Sequence, residues 1–91
     1  MEKRLLESDL FSYLVTLSAL LENLGDADAA ARVLQVSKFA SGSTSELYGE
    51  ARLLLPKILE GHGGMLPELD RARLREVIAG IEREFQRIGG G

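Results

Sequence analysis

The sequence predicts an all-α fold, an antiparallel four-helix bundle with short connections, from three observations. Apolar residues recur at spacings of three and four in separate segments, no stretch alternates with period two for long enough to make a strand, and short runs rich in Gly, Ser, Asp or Pro divide the segments. Short links force successive helices to be neighbours, which is the geometry of a bundle.

The first helix is expected from Lys3 to Leu24. Leu10, Leu14, Leu17, Leu21 and Leu24 fall on one face, and Phe11, Val15, Ala19 and Leu20 widen it until the helix is apolar over most of its circumference. Gly25 follows, in the position that favours a left-handed residue closing a helix. Asp26 or Asp28 can cap the second helix, which is expected to reach Ala40 with Ala29 or Ala30, Val33, Val36 and Ala40 inward and Leu34 and Phe39 flanking.

Ser41-Gly42-Ser43-Thr44-Ser45 breaks the pattern, and Ser43 with Glu46 three residues on fits a capping box for the third helix. Its stripe is Leu47, Ala51, Leu54 and Ile58, with Tyr48, Leu55 and Leu59 beside it. Pro56 lies inside and lacks the N–H that would bond to the Arg52 carbonyl, so a kink or a restart is expected near Leu55. Gly61-His62-Gly63-Gly64 reads as the most mobile internal loop. Pro67 suits the first turn of a fourth helix running to Ile88, with Leu74, Ile78, Ile81, Phe85 and Ile88 spaced four, three, four, three. Gly89-Gly90-Gly91 is expected to fray. One domain over residues 1–88 accounts for the whole pattern. A chain of 91 residues closes only a marginal core, so a monomer and a dimer that completes its core at an interface both fit.

Composition removes several chemistries. The chain is 45% apolar and 27% charged, the balance of a globular protein. It has no cysteine and a single histidine, which excludes disulfides, thiolate metal sites, cysteine nucleophiles and any His-His zinc arrangement within one chain. No cofactor is implied. Fourteen acidic residues against eleven basic ones give a net charge of −3, which argues against a whole-surface attraction to nucleic acid. The excess is uneven: residues 1–65 hold nine acids and six bases, residues 66–91 five of each. Met1-Glu2-Lys3-Arg4 before the uncharged stretch from Leu10 to Leu21 imitates a signal peptide. Glu7, Asp9 and the hydroxyls of Ser12, Thr16 and Ser18 interrupt it, so it reads as a helix, with no membrane segment and a cytoplasmic location.

Each candidate site has a plainer reading. His62, flanked by glycines, reads as an exposed, freely titrating loop residue with no visible partner to orient it as a base. Ser41 to Glu46 has the form of an anion-binding corner without the Gly-Lys-Ser/Thr of a nucleotide loop, and phosphorylation of Ser43 or Thr44 would place charge at a favourable helix end. Arg71, Arg73 and Arg75 concentrate positive charge, but Glu68, Asp70 and Glu76 lie among them. Glu46, Glu50 and Glu60 lack the His partners of a carboxylate metal bundle. Gly49 and Gly80, inside helices, call for either a notch under a crossing side chain or a close-packed subunit interface.

Ala30-Ala31-Arg32-Val33-Leu34-Gln35-Val36-Ser37 resembles the first helix and turn of a DNA-binding helix-turn-helix, which would make the second and third helices a regulator's reading head. The pattern departs from the motif at Gln35, where glycine is usual, and at Ser41-Gly42-Ser43, which would break the recognition helix. Lys38 is the only cation there able to reach a base.

With no chemistry-bearing cluster, the expected function is non-catalytic association, as a homodimer or with a cognate protein partner. The residues that would carry it are Leu10, Leu14, Leu17 and Leu21 on the first helix and Arg71, Leu74, Arg75, Ile78, Ile81 and Phe85 on the last. An inhibitor or immunity-type partner of a basic toxin or nuclease is the alternative suggested by size and charge. An enzyme or carrier would instead show a perturbed, buried titratable group lining a cavity.

Overall fold

A computed structural model describes residues 4–87. Four α-helices form, with no strand among the described residues: α1 (Glu7–Asn23), α2 (Ala27–Ser37), α3 (Thr44–His62) and α4 (Glu68–Arg87). Short 3₁₀ turns follow α2 (Lys38–Ser41) and α3 (Gly63–Met65). The expected start at Lys3, the apolar position Ile88 and the glycine tail 89–91 lie outside the described residues. The radius of gyration is 12.4 Å, against about 12 Å for a fully compact chain of this length, so the helices close on one another.

Residues 4–6 are not helical. The Leu6 N–H donates to Asp9 Oδ2 at 3.1 Å, and the acids Glu7 and Asp9 occupy the first turn, where the positive end of the helix dipole favours them. Leu10, Leu14, Leu17 and Leu21 are all at most 2% exposed. Ser18 shares their face because its hydroxyl donates to the Ala30 carbonyl at 2.8 Å, which fixes the register of α1 on α2. Ala29 and Ala30 are both buried, so the small residues of α2 let the two helices approach closely. Between them Gly25 has φ +93°, with its N–H on the Glu22 carbonyl and the Asp26 N–H on that of Leu21, the paired bonds of a Schellman turn. Asp26 then caps α2, Oδ1 accepting from the Ala29 N–H at 2.9 Å.

Three expectations are corrected, and of the kink or restart expected at Pro56 the restart is absent. The second α-helix ends at Ser37, and the segment to Ser41 tightens into 3₁₀ geometry. The third helix does not restart: it runs unbroken from Thr44 to His62 with Pro56 inside it and exposed. Leu55, not Leu54, joins Leu47, Tyr48, Ala51 and Ile58 in the core. Gly61 and His62 form the last turn of α3, where a loop was expected. That turn is held from outside, by His62 Nδ1 on Asp26 Oδ2 at 2.8 Å and by Arg71, whose guanidinium donates to the Gly63 carbonyl at 3.3 Å.

On α4 the buried line is Leu74, Val77, Gly80, Ile81 and Glu84, so Ile78 and Phe85 are half-buried at its edge. The two helix-interior glycines serve as notches. A Cβ on Gly49 would stand 3.4 Å from the Phe85 ring, and one on Gly80 would stand 3.2 Å from Leu5 Cβ.

Candidate interaction surface

Six of the ten expected interface residues are consumed by the chain's own core. Leu10, Leu14, Leu17, Leu21, Leu74 and Ile81 are all at most 2% exposed and touch one another and the inward faces of α2 and α3, so none can meet a partner while the bundle is closed. Ile78 and Phe85 are half-buried, and the Phe85 ring lies under the Arg52 guanidinium at 4.8 Å. Arg71 is committed to the end of α3, and of the ten Arg75 alone is exposed. The leucine period of α1 and the apolar period of α4 therefore built the core, while Phe11 and Val15 of α1 stay 42% and 40% exposed.

The surface left apolar lies elsewhere. Ala31, Arg32, Gln35 and Val36 of α2 and Glu50, Leu53, Leu54 and Lys57 of α3 line an open groove of about 500 Å³. Its apolar wall is Leu53, 59% exposed, with Leu54 and Val36 deeper. The contact of Asp26 with His62 brings the start of α2 to the end of α3, so Arg32 and Lys57 lie toward one end of the groove and Gln35 and Glu50 toward the other. Arg32, Glu50 and Lys57 have no ion-pair or hydrogen-bond partner among the described residues. By contrast Arg52, one turn from Lys57, is held by Glu82 of α4. Another open cleft, of about 510 Å³ and lined by Leu6, Glu7, Ser8, Phe11 and Ala40, lacks such free charges, since Glu7 accepts from the Thr44 hydroxyl at 2.6 Å.

The other candidate sites are occupied internally. His62 is not a free loop residue: it pairs with the carboxylate that caps α2. In the corner from Ser41 to Glu46, the Ser43 hydroxyl accepts from the Glu46 N–H and the Thr44 hydroxyl is bonded to Glu7, so an acid stands where an anion would bind. Among the described residues no group of three His, Asp or Glu side chains could hold a metal ion, and no helix is long and apolar enough to cross a membrane.

The perturbed titratable groups all shift away from neutrality. Burial pushes the Tyr13 phenol well above its ordinary value; its hydroxyl has no hydrogen-bond partner among the described residues, and the Arg73 guanidinium lies 5.9 Å from its ring. Burial likewise pushes Tyr48 up to about 12, its hydroxyl donating to the Leu5 carbonyl at 2.6 Å. Glu84, only 3% exposed, is held below its ordinary value by the hydrogen bond from Arg4 at 3.0 Å, with Arg87 at 3.6 Å adding to the effect. General acid or base catalysis needs a group tuned toward the working pH, and these are tuned the other way. Sequence reasoning missed the groove because Leu54 read as a member of the third helix's inward stripe and Leu53 fell in no stripe at all. Only the rotation of α3 that buries Leu55 turns Leu53 outward.

Comparison of the chain with protein-family models, with curated proteins and with solved structures finds no match in any of the three.

Proposed function

We infer that the protein acts by association with another protein chain, and that the α2–α3 groove is its contact surface. The observation that carries this reading is the coincidence, on one face, of a 59%-exposed leucine, an apolar cleft and three charged side chains with no partner among the described residues. Desolvating Leu53 and Leu54 against a partner would recover apolar burial that the closed bundle forgoes. Reading of DNA by α3 finds less support: its exposed positions include Glu46, Glu50 and Glu60, while Arg52 is turned toward α4 by Glu82.

A photo-crosslinking residue placed at position 53 and, as a control, at Leu69, which is 85% exposed outside the groove, tests the reading in cells. Protein adducts at position 53 in clear excess over position 69 are expected. Equal or absent adducts would remove the groove as the contact surface.

A further inference from the structure

We propose that the occupant of the groove is a second copy of this chain, with α3 packed against α3 of the other copy about a two-fold axis. The proposal rests on the reading of the groove as a protein contact, and it names the partner. Glu50 and Lys57 are seven residues apart, about two helical turns or ~10 Å along the axis, and the midpoint between them falls between Leu53 and Leu54. Turning a second α3 end for end about that midpoint lays Glu50 of each copy against Lys57 of the other and brings the four leucines together at the centre. A two-fold interface requires this kind of self-complementarity, in which one residue meets a second and the second meets the first.

The charges of the face favour this occupant over an unrelated one. Glu50 and Lys57 are too far apart along one helix to neutralise each other, and neither has an internal partner among the described residues. An acidic partner would satisfy Arg32 and Lys57 but oppose Glu50, and a basic one would do the reverse. A reversed copy satisfies both ends at once, and Arg32 beside Lys57 adds a second cation for the incoming Glu50. Pro56 does not obstruct the approach, because it lines a separate cleft with Arg52, Ile78 and Glu82 on the α4 side.

Sedimentation of the whole chain over a wide concentration range tests the pairing. The wild type should be a dimer. Leu53→Asp should be a folded monomer by circular dichroism, since the side chain it replaces is exposed. Glu50→Lys and Lys57→Glu should each weaken dimerisation by about tenfold or more, because each creates like-charge contacts twice about the axis. The double variant Glu50→Lys/Lys57→Glu should recover it. A monomeric wild type, or a double variant no tighter than the singles, overturns the proposal. If position 53 then crosslinks to a different protein, association through the groove stands and only the two-copy pairing falls.

Discussion

The inward faces of α1 and α4 and the outward face of α2 and α3 are made from the same residue types and do opposite things. Leu10, Leu14, Leu17, Leu21, Leu74 and Ile81 are closed within the bundle, whereas Leu53 leaves most of its surface in solvent a few ångströms from an equally apolar interior. The contrast teaches that periodic leucines locate a helix's buried side, and that a candidate contact surface is to be sought among the apolar residues the core did not take. Leu53 and Leu54 belong to no long repeat, and the groove they line draws half its residues from another helix.

The largest way to sharpen that contrast is truncation on each side of it. Leu14→Ala, at a fully buried position, should cost about 2–5 kcal/mol in urea unfolding, while Leu53→Ala should change the stability of the monomer by less than about 0.5 kcal/mol. Equal costs at a concentration below dimerisation would mean that Leu53 is packed within the single chain and that the groove is closed.

A second test addresses the one carboxylate inside the core. Because Arg4 holds Glu84 below its ordinary value near 4.5, the ionised form stabilises the fold fully above that pH, and its contribution is lost as the pH falls below it. Unfolding free energy should therefore decline more steeply below pH 4.5 in the wild type than in Glu84→Gln, with the two slopes alike above it. Parallel curves throughout would show that the buried carboxylate is not coupled to folding.

The smallest effect separates the two glycine notches. Gly49→Ala places a methyl in van der Waals contact with the Phe85 ring and should gain up to about 1 kcal/mol of helix propensity in a thermal or urea melt. Gly80→Ala meets Leu5 Cβ at 3.2 Å, which consumes much of the same gain. Equal stabilisation by both would mean that Leu5 does not press on α4.

Much of the fold was legible because three-and-four spacing survives any choice of neighbours. The Leu10 to Leu21 stripe, the Gly25 turn and the caps at Asp26 and Ser43 depend on residues within one turn of each other. What was not legible depends on partners distant in sequence. Whether Leu54 or Leu55 faces inward is a rotation of about 100° that adjacent leucines cannot decide. Gly61 and His62 looked like a loop because the groups that hold them as helix, Asp26 and Arg71, come from other segments. The same ambiguity governed the site: a leucine stripe is equally consistent with a core and with a seam until the other helices are in place.

The Asp26 carboxylate gives the two ends of α2 different resistance to opening. One of its oxygens caps α2 and the other holds His62 of α3, so exposing the Gly25 turn means breaking both bonds and the Schellman pair together. At the far end of α2, Gly42 is exposed and, among the described residues, its N–H is tied back to the Phe39 carbonyl alone. Amide exchange and a limiting protease should therefore enter the molecule between α2 and α3 near Gly42, leaving the α1–α2 hairpin intact as the first fragment released.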